Sequence, residues 1–395
     1  MTASAAVPGP RSLSADDLLV GPRGRRLCAE VAFAVAAFRV ACSVDPETEA
    51  ETSRALSVGW AVLPSPEDLA AELARAVPTL SRWGLLSAGA PPAGADLSPE
   101  GVSLALTASV DAARYWQPPD EWDGALALPG SDEALRPLAE LLVGTTATAW
   151  WTDRLDLDDQ HEVEMVDEAA PTVRGQLVGA AGRLTRWRTD RDLEDTMHVG
   201  SDRGLEHAAG GDWWTLPLFA GLVRTTPTVP STAPAALCYP EDSFGWSDAR
   251  SWQLRAVRAP RVYEIDGPDD LSALVSRFPL DVTRSRRRSW WETTGVDGAW
   301  YLPDWSAVAR EHDAVHLTVR GYLTTAGRAV PVHGTPVAGA CTVLAGWTPG
   351  ETVWLADALE PAGPARRWRR RDDEVLWDLV TDETSQTFDT PPPRK

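Results

Sequence analysis

Among the side chains of this 395-residue chain, His316 and Thr318 are the pair whose types and spacing most readily suggest chemistry. They stand two apart in Ala314-Val315-His316-Leu317-Thr318-Val319, which reads as a strand, so both project from one face. An imidazole and a hydroxyl so placed, followed by Tyr322 and the Thr324-Thr325 pair, can move a proton or hold the ribose and amide of a dinucleotide. The other histidines, His161, His198, His207, His312 and His333, are scattered, and no His-Glu-x-x-His spacing occurs. A cluster of large rings lies close by in sequence: Trp290, Trp291, Trp300 and Trp305, out of 19 tryptophans. Polar neighbours suggest that the cluster sits near the surface, where such rings line ligand clefts. Arg286 and Arg288, within the run Arg284 to Arg288, add phosphate-contacting capacity beside Trp290 and Trp291. A second run, Arg366 to Arg371 around Trp368, leads into Asp372-Asp373-Glu374. The reading we favour for both runs is internal: arginines neutralising acidic segments such as Asp153 to Glu168.

The His316-x-Thr318 strand resembles the His-x-Thr strand of the diphtheria-type ADP-ribosyltransferases. That resemblance implies NAD as the bound dinucleotide, with His316, Thr318 and Tyr322 around it. It also implies a catalytic glutamate on a later strand, for which Glu351 and Glu360 are available. A broader likeness runs through Leu19 to Cys28, Ala112 to Pro118 and Trp305 to Tyr322. Over these stretches the chain resembles a family of uncharacterised proteins from high-GC actinobacteria, which implies one inherited unit and no known activity.

The elements that must position these residues fall into two textures. Ser14 can cap a short helix, an apolar helix runs from about Arg25 to Cys42, and Ser65-Pro66-Glu67-Asp68 and Ser98-Pro99-Glu100 open two more, the latter reaching Trp116. Ser131-Asp132-Glu133 starts another that ends at Val143, before Gly144, with Pro137 inside it. Residues 14–145 are therefore expected to be helical, with Gly89 to Gly94 as a surface connector. Residues 146–209 read as an acidic segment, an amphipathic helix from Pro171 to Arg188 and a charged loop from Arg188 to Gly211. Beyond them, Leu216–Val223, Ala236–Tyr239, Arg261–Ile265, Ala314–Tyr322, Cys341–Ala345 and Thr352–Leu355 read as strands, with helices at Pro268–Phe278 and Asp304–Arg310. A Trp-rich domain over 210–360 and a charged, partly disordered tail over 361–395, with a helical turn at Glu374–Val380, complete the chain. The fold class expected is α+β, a helical region packed on a C-terminal mixed or antiparallel sheet.

Composition narrows the function classes. A net charge of −20 disfavours nucleic acid and anionic lipid as partners over most of the surface. No uncharged apolar run reaches the roughly 18 residues of a spanning helix. The run Leu27 to Ala41 carries Glu30 and Arg39, so it is expected to be a buried helix and not a signal sequence ahead of Cys42. Four cysteines without a Cys-x-x-Cys pair suit a reducing, cytoplasmic setting and are expected to be free thiols. Gly-x-Ser-x-Gly, Gly-x-Gly-x-x-Gly and phosphate-binding Gly-Lys-Ser/Thr motifs are absent. The leading expectation is a non-catalytic binding or regulatory protein for a small molecule or protein, using a Trp-lined surface. The alternatives are an NAD-dependent transferase or glycohydrolase using His316 and Thr318, and a nucleic-acid or phosphate-ligand protein using the arginine runs. No motif fixes a cofactor.

Overall fold

The structure is a computed structural model that describes residues 11–42, 99–166, 174–199, 204–205, 212–229, 233–371 and 376–381. The helical layer comprises α1 (Ala15–Leu19), α2 (Pro22–Cys42), α3 (Pro99–Asp111), α4 (Glu121–Leu126) and α5 (Ser131–Val143). Ser14 and Asp17 close a reciprocal capping box on α1. The segments 43–98 and 382–395, with their expected Ser65 cap, Gly89 to Gly94 connector and terminal tail, lie outside the described residues. No helix among the described residues is long and apolar enough to cross a membrane.

The rest of the chain carries the strands β1 (Gln160–Met165), β2 (Arg224–Thr225), β3 (Asp248–Ala256), β4 (Val262–Ile265), β5 (Pro279–Asp281), β6 (Tyr301–Pro303), β7 (Ala314–Leu317), β8 (Val330–Pro331), β9 (Cys341–Thr342), β10 (Thr352–Trp354), β11 (Leu359–Pro361), β12 (Arg366–Arg370) and β13 (Trp377–Leu379). The helices among them are α6 (Ala180–Met197), α7 (Ala235–Cys238), α8 (Pro268–Arg277), α9 (Thr283–Thr294), α10 (Trp305–Val308) and α11 (Val319–Thr325). One sheet is antiparallel, in the order β1-β3-β12-β13 with β11 also on β3. A mixed sheet runs β2-β10-β7-β4, with β4 and β7 parallel. Helices packed beside antiparallel and mixed sheets make the protein α+β.

Several expected elements change type or extent. Ala236–Cys238 lies on the short helix α7, with Pro234 as its N-cap and Tyr239 as its C-cap. Leu216–Val223 folds irregularly around a 3₁₀ turn at Leu218–Ala220, closed by Gly221 at φ 69°, and pairing begins only at Arg224. The helix expected from Pro171 begins after Gly179 and continues through the expected loop to Met197. Ion pairs Arg188 to Asp192 and Arg191 to Glu194, at helical spacing, support that continuation. The segment expected as a helical turn near Glu374 to Val380 holds β13, antiparallel to β12, so part of the charged tail belongs to a sheet. The acidic run includes β1, paired along its length with β3.

One apolar cluster joins the two textures. Leu18, Leu27, Leu106 and Leu138 from the helical layer share it with Leu271, Trp305, Val315 and Tyr322. The mixed sheet is buried on both faces: Val315, Leu317 and Val353 enter that cluster, while Ala314 and Trp354 enter a smaller one with Val223 and Leu254. Continuous apolar sequence in β7 and β10 is the consequence of this two-sided burial.

Candidate functional site

His316 sits near the carboxyl end of β7, in register with Glu264 of β4 on one side and Thr352 of β10 on the other. Side chains in register share a face, so carboxylate, imidazole and hydroxyl form a row across the sheet. The Glu264 carboxylate lies 2.5 Å from His316 Nδ1, and its other oxygen accepts the Leu155 amide at 3.2 Å. A carboxylate on Nδ1 places the proton there and leaves Nε2 as the acceptor edge of the ring. Among the described residues Nε2 has no hydrogen-bond partner, and 5% of the side chain is exposed.

His316 lines a cleft of about 150 Å³ at the carboxyl end of the parallel pair β4 and β7, where open sheets commonly place ligands. Its wall includes Trp150, Asp153, Asp156, His316 and Thr318. Trp150 is half-buried and Asp153, Arg154 and Asp156 are exposed, so the lining brings an aromatic ring together with two carboxylates and one guanidinium. Asp159 and Gln160 line the interior but are occupied. Asp159 accepts both the amide and the hydroxyl of Thr228, and Gln160 donates to the Asp156 carbonyl. Among the described residues no group of three or more His, Cys, Asp or Glu is placed to hold a metal.

The strand expected to continue to Tyr322 ends at Leu317. Thr318 is instead the N-cap of α11: its hydroxyl accepts the Gly321 amide at 2.8 Å and donates to Asp266 at 2.7 Å. The helix then carries Tyr322 away from the cleft, fully buried, to donate to Glu241 at 2.8 Å. His316 and Thr318 are thus together and Tyr322 is elsewhere. The two glutamates considered for a dinucleotide site also lie outside the cleft wall. Glu351 is buried against Arg224, 3.2 Å away, and Glu360 pairs with Arg255 at 2.7 Å in the other sheet. A dinucleotide does not fit: the cleft is below the roughly 300–1,000 Å³ of drug-sized pockets, and the Thr318 hydroxyl is committed to the fold.

The tryptophans expected to form a recognition surface are largely interior. Trp290, Trp300 and Trp305 are fully buried, and Trp291 alone of the four is exposed. Trp290 meets Trp300 edge to face at 5.4 Å and donates to the Trp213 carbonyl, while Trp305 donates to the Thr215 carbonyl. α9 turns Trp290 inward and its neighbour Trp291 outward, because adjacent residues on a helix point to different faces. The arginines nearby are neutralised within the fold. Arg286 is buried against Glu194 at 2.8 Å, and Arg288 pairs with Glu292 at 3.1 Å. In the second run Arg369 pairs with Asp248 and Arg371 with Asp378. These acids differ from the Asp153 to Glu168 segment expected to be neutralised.

Sequence reasoning missed Glu264, Trp150, Asp153 and Asp156 as site residues. The Trp150-Trp151 pair ahead of an acidic run was a usable signal, but Glu264 is 52 positions from His316 and only strand pairing joins them. Among the described residues the cysteines offer no nucleophile to the cleft. Burial pushes the Cys28 thiol up and that of Cys238 to about 12, and Cys28, Cys238 and Cys341 are all free. No known protein family, characterised protein or solved structure matches the chain.

Proposed function

We propose that the protein binds a small organic cation, an amine in its ammonium form, in the cleft at the end of β7, and that the Glu264–His316 pair exchanges a proton with that ligand or with a water beside it. The observation that carries this reading is the imidazole itself. Its Nδ1 is fixed by a carboxylate and its side chain lines the cleft, an arrangement suited to a general base acting through Nε2. Trp150 offers a ring face for a cation, and Asp153 and Asp156 supply negative charge around it. The hydroxyls of Thr318 and Thr228 are bonded to Asp266 and Asp159, which favours proton transfer over covalent attack by the protein. Asp153, Asp156 and Asp159 outnumber Arg154 on the same wall and oppose a pyrophosphate, so the cationic ligand is preferred to a dinucleotide.

The test is calorimetric titration of the full chain with choline and ethanolamine, alongside imidazole ¹⁵N spectra. Binding should be saturable, should weaken with added salt, and should fall by about tenfold or more in Asp156→Asn or Trp150→Ala. His316 should carry its proton on Nδ1, and Glu264→Gln should change that tautomer balance. Absence of saturable binding by either amine, or imidazole spectra that place the proton on Nε2, would overturn the proposal.

A further inference from the structure

A second cleft, of about 530 Å³, lies where the first turn of α2 meets the turn after α3, the end of α9 and the loop that follows α11. Its volume falls in the range of small-molecule sites. Four arginines, Arg23, Arg25, Arg114 and Arg328, line it. The carboxylates that share the wall are engaged. Asp120 pairs with Arg26 at 3.1 Å, Asp123 with Arg23, and Glu292 with Arg288 at 3.1 Å. Arg25 and Arg114 have acids of their own, Asp132 at 2.9 Å and Asp242 at 3.4 Å. Arg328 differs. It donates to the Thr324 carbonyl at 2.5 Å, and among the described residues no carboxylate lies within ion-pair distance of it.

We infer that this cleft binds a small organic oxyanion, a carboxylate or phosphate ester, with the Arg328 guanidinium as its counter-charge and Arg25 and Arg114 beside it. Two independent features point the same way. Burial and the neighbouring Arg25 hold the Arg328 guanidinium below its usual value, so the site disfavours its own cation until an anion enters. The first turn of α2 has no acidic residue and carries Arg23 and Arg25 at the positive end of the helix dipole, the reverse of the usual placement. An oxyanion docked there meets guanidinium N–H groups in fork geometry and a favourable helix field together. A nucleic acid is disfavoured because Asp120, Asp132 and Glu292 border the arginines and the chain as a whole carries a charge of −20.

The experiment is thermal unfolding and calorimetry of the full chain with inorganic phosphate and with malonate, against chloride at equal ionic strength. Phosphate, malonate or both should raise the melting temperature in a saturable way that chloride does not reproduce; which anion is preferred distinguishes a phosphate ester from a carboxylate ligand. Arg328→Gln should weaken that binding by about tenfold or more, as loss of a charge-assisted bond does. Arg114 is half exposed, so Arg114→Gln should fold normally and bind several-fold more weakly; it decides the matter if the Arg328 variant does not fold. His316→Gln should leave the response unchanged, which separates this site from the amine cleft. Equal stabilisation by chloride, or wild-type affinity in Arg114→Gln together with wild-type affinity or misfolding of Arg328→Gln, would overturn the inference.

Discussion

Glu241, in the turn after α7, ties α11 to the loop after β9 through a single carboxyl, which accepts the Tyr322 hydroxyl at 2.8 Å and the Gly346 amide at 2.6 Å. The residue as a whole is half-buried, but its carboxyl is turned inward on these two donors. Burial pushes the carboxyl up to about 8, outweighing the two hydrogen bonds and the pull of Arg23. A carboxyl raised in this way holds its proton in the folded state. Its stabilising contribution is complete below the unfolded value, about 4.3, and is lost as pH rises through about 8. Glu162 and Glu351 are raised by burial as well and act with the same sign. Asp313 and Asp17, lowered by their arginine and serine partners, act in the opposite sense only in acid. Urea midpoints should therefore fall between pH 5 and pH 9, and Glu241→Gln should remove a large part of that slope. A wild-type midpoint that rises over this range, or an unchanged slope in the variant, would show that the carboxyl is ionised throughout.

At the scale of elements, the junction of β7 with α11 decides where the cleft is. Thr318 ends the strand by capping the helix, and its bond to Asp266 ties that cap to the end of β4. Thr318→Ala should cost about 1–2 kcal/mol in chemical denaturation, and Thr318→Ser should recover most of it. Three residues on, the helix passes so close to β4 that a Cβ at Gly321 would lie 2.2 Å from the Ile265 carbonyl oxygen. A backbone oxygen held in a parallel ladder cannot step aside, so Gly321→Ala should cost more than loss of the cap. If it proves neutral, the helix is not seated against the strand as closely as described. Because His316 stands at the end of that same strand, both variants should also weaken amine binding if they shift it.

For the whole molecule, the shared apolar cluster and the Arg320 bridge argue that the helical layer and the sheets fold as one unit. Arg320 reaches Asp17 of α1 at 2.6 Å and Asp266 after β4 at 3.2 Å. Leu18, Leu27 and Ala113 cover surface that 210–395 would expose if expressed alone. That fragment should be poorly soluble or should bind a hydrophobic dye without a cooperative melt. A sharply unfolding, dye-negative fragment would show that the helical layer is an accessory.

Local grammar in the sequence determined much of the architecture: the Ser14 cap, the helix of α5, the Asp-Gly-Pro start of α8 and the β-branched runs of β4 and β10 form where they are read, and β7 does so as far as Leu317. The α+β class follows from those same signals. What sequence could not decide was which short apolar runs would pair, since a few alanines and leucines at Ala235–Cys238 suit a helix or a strand until neighbours are fixed. It also could not assign burial to Trp290, Trp300 and Trp305, whose polar neighbours leave on other faces of the same elements. The site shows the same division. The strand pattern identified His316, but its carboxylate, its aromatic wall and the helix cap at Thr318 come from β4, the Trp150 turn and α11. Long-range pairing alone brings them within hydrogen-bond reach, because contacts between residues tens of positions apart are set by the packing of whole elements and not by local preference.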